Sequence, residues 1–203
     1  MYQWRKMTNE EREQTLRFRQ ERCFPWHSPP HIGGDSGIYH VSAACYEHQY
    51  HVGYMNKRMI EFSTELISLT NKTGNLYAWC VLPNHYHLLI ETQNLANLTK
   101  ELGKLHGRSS FNWNGEEKTR GRKVWFNSQD RIIRGEGHFW ATVNYIHHNP
   151  VHHKLVNRWR EWPYSSAAQY LAKVGEKRAA EIWKEYPILN YGKGWDEDDF
   201  GRI

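Results

Sequence analysis

The chain has 203 residues, a formal net charge of +5 and a mean hydropathy of -0.85; that size favours one domain with appended arms, and the lack of any long apolar run excludes a helical membrane protein. Its 10 Trp, 12 Tyr and 7 Phe concentrate apolar surface in aromatic side chains, enough for a core, which excludes a chain disordered throughout. Three widely spaced cysteines, Cys23, Cys45 and Cys80, exclude a zinc ribbon or a disulfide framework, and with an opening Met-Tyr-Gln-Trp-Arg-Lys that lacks an apolar signal region they predict a cytoplasmic protein with no membrane partner.

Residues 1–22 mix Arg and Glu with few apolar positions, and Thr8 followed by Glu11 predicts a capping box on a short helix. Pro25, Pro29, Pro30, Gly33, Gly34 and Gly37 predict an irregular linker, so residues 1–37 read as an N-terminal arm. Ile38 to Val52 alternates as a strand, with Tyr39, Val41, Ala43 and Cys45 on one face. Met59, Ile60, Phe62, Leu66, Ile67 and Leu69 predict a helix over 56–70, which Gly74 ends. Strands follow over 76–82 and 85–91, broken at Pro83-Asn84. A helix is expected over 94–112, a polar basic loop over 114–121, a strand within 123–133 and a helix over 136–148. A short helix starts on Pro150, and a final helix covers about 165–183. The order β-α-β-β-α-β-α predicts an α+β fold of the ferredoxin-like, split βαβ kind: an antiparallel sheet with helices packed on it. The domain spans 38–170, and a C-terminal helix and acidic tail occupy 171–203.

Charge is unevenly distributed. Between Thr99 and Arg134 there are nine Lys/Arg against four Asp/Glu, interleaved with Phe111, Trp113, Trp125 and Phe126. Such a segment suits a polyanion with stackable bases. Arg108, Lys118, Arg120, Arg122, Lys123 and Arg131 are the candidate DNA contacts.

Side chains alternate along a strand, so His85 and His87 share a face and Tyr86 takes the other. Two imidazoles so placed can converge on one cation. In a chain with 13 His the pattern alone is a weak signal, and two half-buried histidines bonded to backbone would also produce it. Tyr145 and Asn149 lie one helical turn apart. A phenol is a poor nucleophile near neutral pH, since its pKa is about 10, and a cation that polarises a phosphate lowers what is asked of it. An Asn before Pro is also an ordinary helix stop. His147, His148, His152 and His153 are expected to face DNA or solvent, with His148 the substitute should Asn149 not be a ligand.

The segment Trp79-Cys80-Val81-Leu82-Pro83-Asn84-His85-Tyr86-His87-Leu88-Leu89-Ile90 resembles the His-hydrophobe-His motif of single-tyrosine HUH transposases. Asp130-Arg131-Ile132-Ile133-Arg134, Tyr145-Ile146-His147-His148-Asn149-Pro150-Val151 and Trp162-Pro163-Tyr164-Ser165-Ser166 resemble later blocks of the REP-associated tyrosine transposases. The middle residue, Tyr86, is only partly hydrophobic, a departure from the pattern. The resemblance implies a metal-dependent endonuclease and strand transferase acting on single-stranded or hairpin DNA. It implies His85, His87 and Asn149 as ligands of Mg or Mn, Tyr145 as nucleophile, a 5′-phosphotyrosine intermediate, and a monomer or homodimer. Two other readings stand beside it: a nucleic-acid-binding module without catalysis, and a metal-dependent nuclease that uses water.

Overall fold

The computed structural model describes residues 8–11, 13, 14, 17, 36–189, 191 and 192. The chain divides into two units, Met1–Ile32 and Gly33–Ile203. In the first, Thr8 and Glu11 form the expected reciprocal cap, with Thr8 N–H donating to Glu11 at 2.7 Å and Glu11 N–H to Thr8 Oγ1 at 3.2 Å. Of the linker expected over 25–37, residues 25–35 lie outside the described residues, as do Cys23 and the acidic tail; Gly37 instead opens a strand.

In the second unit the elements are β1 (Gly37–Ala44), α1 (Asn56–Thr73), β2 (Asn75–Val81), β3 (His85–Thr92), α2 (Leu95–Glu116), β4 (Gln129–Ile132), α3 (Glu136–His152), α4 (Ala167–Val174) and α5 (Glu176–Glu185). The strands form one sheet in the order β2-β3-β1-β4. β3 runs antiparallel to both β1 and β2, so β1 and β2 are parallel with β3 inserted between them. That is the split βαβ arrangement read from the sequence, in an α+β fold. Among the described residues no helix is long and apolar enough to cross a membrane.

Strand alternation divides the sheet into two faces. Tyr39 and Val41 of β1, Tyr86, Leu88 and Ile90 of β3, and Trp79 and Val81 of β2 join one buried cluster. α1 supplies Met59, Phe62 and Leu66 to it, and α2 supplies Leu98, Leu102, Leu105 and Trp113. Both helices present these residues at three- and four-residue spacing, the stripe that an amphipathic helix turns toward a core. Asn94 caps α2 by accepting from Asn97 N–H at 2.8 Å. On the other face Ala78, Cys80, Leu82 and Leu89 meet Val143, Tyr145 and Ile146 of α3. Gly74, between α1 and β2, has a steric reason: a Cβ there would lie 2.1 Å from the Glu91 carbonyl oxygen.

Several boundaries differ from the sequence reading. β1 stops at Ala44, because Glu47 and His48 take left-handed backbone (φ 55° and 51°) that no strand can continue through. The strand expected within 123–133 is β4, and Trp125 makes only an isolated bridge with Cys45. α2 runs on to Glu116, where buried Arg58 grips its end, bonding Glu116 at 2.6 Å and Glu117 at 2.7 Å. A cation as buried as Arg58 needs such partners. α3 continues through Pro150 to His152 in place of a stop and a fresh start. The proline forfeits one hydrogen bond, but the helix resumes with His153 N–H donating to the Asn149 carbonyl at 3.0 Å. The last helix is two, parted at Gly175 with φ +85°.

Candidate active site

His85 and His87 occupy the face of β3 that looks toward α3, both buried, with ring centroids 5.0 Å apart. The orientation of His85 follows from a chain of hydrogen bonds. Asn84 Nδ2 donates to the His48 carbonyl at 3.0 Å, which fixes its carboxamide. Asn84 Oδ1 is then turned to His85 Nδ1 at 2.6 Å and accepts its proton. The Nε2 lone pair of His85 is left pointing into the site.

Asn149 reaches that atom from α3, with Oδ1 3.2 Å from His85 Nε2. With the proton on Nδ1, these are two acceptors face to face. Asn149 Nδ2 is buried and has no hydrogen-bond partner. Turning the carboxamide over would satisfy Nδ2 on His85 and leave Oδ1 open instead, so one polar end stays unsatisfied in either orientation. A cation between the acceptors removes the conflict. Donors about 2.1 Å from an octahedral ion lie about 3.0 Å from one another, close to the separation observed. Two imidazoles and a carboxamide oxygen are a donor set that Mn accepts readily and Mg accepts when water fills the remaining positions. Among the described residues no group of three His, Cys, Asp or Glu side chains gathers as a metal cage; in the candidate site the third donor would be a carboxamide.

Tyr145 stands one turn before Asn149 on the same helical face. Its ring centroid is 5.2 Å from that of His87 and 5.8 Å from that of His40. His40 comes from β1, and its Nε2 is 3.2 Å from His87 Nδ1. It therefore stands to His87 as Asn84 stands to His85. The sequence reading did not single out His40, yet alternation against Tyr39 and Val41 assigns it to this face once β1 is paired with β3.

Tyr145 is only 6% exposed. Tyr191 packs against it at 5.3 Å and hydrogen-bonds Thr142 at 2.7 Å and His40 Nδ1 at 3.3 Å. Gly192 lies so near that a Cβ there would meet the Tyr145 ring at 2.1 Å.

Of the remaining histidines His152 is exposed, as expected, whereas His147 and His153 differ from the sequence reading. His147 does not face DNA or solvent: it is 2% exposed, its Nε2 is 2.8 Å from Ser166 Oγ, and burial lowers its pKa to about 3. His148 packs on Trp183; as the immediate neighbour of Asn149 it is turned about 100° from it around α3. The further imidazole near the site is buried His153, 5.0 Å from the His85 ring.

The six candidate DNA contacts are not brought together equally. Arg131 lies opposite His40 in the β1–β4 register and so shares the site face. Lys123 lies over the Tyr46 and Phe126 rings at 4.9 and 5.3 Å. This is beside the end of β1 that pairs with His85. Arg120 covers Phe111 at 4.2 Å, Arg108 pairs with Glu65 at 3.2 Å, and Lys118 is exposed in the turn after α2. Arg122 is turned inward, with its guanidinium on Glu117 at 2.7 and 3.0 Å and on Asn114 at 2.9 Å. Hydrogen bonding from Arg122, then from Arg58, holds the Glu117 carboxyl down at about 2.

Three comparisons bear on this arrangement. Residues 35–149 match the profile of the family described as transposase IS200-like. A Haemophilus influenzae protein carrying the name REP-associated tyrosine transposase is 31% identical over 106 residues, which are 44% of this chain and 56% of that protein. The chain thus spans little more than half the length of that relative. A solved REP-associated tyrosine transposase bound to a REP hairpin superposes with a TM-score of 0.53 at 19% identity, covering 68% of this chain and 80% of the other. That likeness is one of fold.

Proposed function

Because the chain belongs to the IS200-like transposase family, we propose that it nicks and rejoins single-stranded DNA, with Tyr145 as nucleophile and with Mg or Mn held by His85, His87 and Asn149. The observation that carries this reading is the convergence on α3: one helical face delivers a phenol to within 5.2 Å of His87 and a carboxamide oxygen to within 3.2 Å of His85. In that reaction the Tyr145 oxygen attacks the scissile phosphorus. A tyrosyl–phosphorus bond forms and the bond to the 3′-oxygen breaks. The phenolic proton is balanced by the proton that the departing 3′-oxygen gains, leaving a 5′-phosphotyrosine and a free 3′-hydroxyl. When bound, the cation supplies charge stabilisation at the non-bridging phosphate oxygens. Attack by a 3′-hydroxyl on the phosphotyrosine reverses the step and joins strands.

Asn84 and His40 hold the two ligand imidazoles in their tautomers and orientations. Leu82, Leu89 and Ile146 wall the site with apolar surface. Arg131, Lys123, Arg120, Lys118 and Arg108 contact phosphates, while Arg122 braces the loop that carries them. Hairpin DNA is the proposed substrate, on the likeness to a solved relative that carries a REP hairpin. A phosphate reaches Tyr145 only after Tyr191 and Gly192 shift from its ring.

The test is adduct formation. The protein is mixed with labelled hairpin DNA carrying single-stranded flanks from its own genomic neighbourhood, with Mn, with Mg and with EDTA, then run on a denaturing gel. A metal-dependent shifted band that maps to Tyr145 is expected. Binding without an adduct would replace this reading with a non-catalytic module, and cleaved product without an adduct with a water-using nuclease.

A further inference from the structure

α3 has a second functional face. Asn144 and His147 project from the side opposite Tyr145 and Asn149, and there they help to line a cavity of about 430 Å³. The helix is about 10–12 Å across with its side chains, so nucleophile and cavity are separated by the thickness of one helix. The rest of the wall comes from the turn holding Arg158, Trp159 and Arg160 and from α4 and α5. Those elements lie beyond residue 149, where the family match ends.

The lining has two properties that together select a ligand. Flat rings dominate: Trp159 stacks on His147 at 5.6 Å with only 13° between planes, Tyr170 packs on the same imidazole at 5.0 Å, and Trp183 stands at the mouth, 36% exposed. The charge is positive, with Arg158, Arg160 and Lys184 against Glu176 alone, and Glu176 is paired with Arg160 at 2.6 Å.

We propose that this cavity takes one unstacked base of the single-stranded DNA that flanks the reacting phosphate. The base lies among Trp159, Tyr170 and Trp183, and the adjoining phosphates lie against Arg158 and Lys184. Aromatic stacking beside cations is how proteins grip single strands. Because α3 carries the cavity on one side and the nucleophile on the other, a base seated here fixes which phosphate, a few nucleotides along, arrives at Tyr145. This inference rests on the single-strand DNA reading above, but it concerns binding and does not need cleavage.

The experiment uses the full chain with Tyr145→Phe, in EDTA, so that no strand is cut. Hairpin DNAs with native single-stranded flanks are scanned with an abasic residue moved one position at a time, and affinity is read by fluorescence anisotropy. One flank position is expected to lose about tenfold or more when its base is removed. Trp183→Ala and Arg158→Gln, both at exposed positions, are expected to erase that penalty and to leave binding of the bare hairpin stem unchanged. A flat scan would overturn the proposal, as would a penalty that survives in both variants. A single-position penalty erased by the variants, from a protein whose wild type forms no adduct, would uphold the cavity and fell the transferase reading. Adducts together with a flat scan would do the reverse.

Discussion

Adjacent residues of β3 serve opposite faces of the sheet. Tyr86, Leu88 and Ile90 enter the apolar layer beneath α1 and α2, whereas His85 and His87 stand beneath α3. On the first face the Tyr86 hydroxyl meets His106 Nε2 at 3.1 Å, and His106 stacks on Trp125 at 4.5 Å. The second face gathers imidazoles around a carboxamide with an open polar end. A shift of one residue along the strand thus separates the residues that hold the fold from those that the proposed chemistry uses. Substitutions on the two faces should be read by different instruments.

The contrast can be broken or sharpened by experiment. Tyr145→Phe should lower adduct formation by more than about a thousandfold, with DNA binding and thermal midpoint unchanged; adducts surviving in this variant would remove Tyr145 from its role. Leu88→Ala, on the other face, should cost about 3 kcal/mol in denaturant unfolding through lost burial and a cavity. A loss below about 1 kcal/mol would mean that this face is not close-packed. His106 gives the apolar face an acid signature, since burial lowers its pKa from 6.5 to about 4. The unfolded chain then takes up this proton first as pH falls, so stability is lost between about pH 6.5 and pH 4, on the order of 3 kcal/mol. His106→Gln should flatten the slope of stability against pH in that window, and an unaltered slope would assign the proton elsewhere. Asn84→Ala should weaken Mn binding, measured calorimetrically, by about 10–100-fold with little change in fold; equal affinity would deny Asn84 its hold on His85. The smallest effect is expected of Tyr86→Phe, about 1 kcal/mol of stability with adduct rate intact. A large loss of activity there would collapse the division between faces.

Much of this arrangement is legible in the residues. Alternation in β3 separates His85 and His87 from Tyr86, the apolar spacing of α1 marks its buried stripe, and four-residue spacing joins Tyr145 to Asn149. What could not be read depended on distant partners. The inward turn of Arg122 depends on Glu117, itself shared with Arg58 of α1. No local pattern announces that a basic loop residue is already occupied. The continuation of α3 through Pro150 likewise runs against local preference, and packing around Asn149 and His153, both nearly fully buried, outweighs it. His147 reads as one more surface histidine in a run, yet Ser166 and Trp159, later in the chain, enclose it.

The His48 carbonyl that anchors Asn84 belongs to two successive non-glycine residues in left-handed backbone, Glu47 and His48. Each such residue costs roughly 1 kcal/mol relative to an ordinary conformation. Glycine at either position would relax that strain and raise the melting temperature, while widening the range of directions in which the carbonyl can point. The turn is therefore a place where thermal robustness and catalytic order pull apart. A selection for heat resistance alone would be expected to find Glu47→Gly or His48→Gly, and to leave the hold on His85, a proposed metal ligand, looser than it found it.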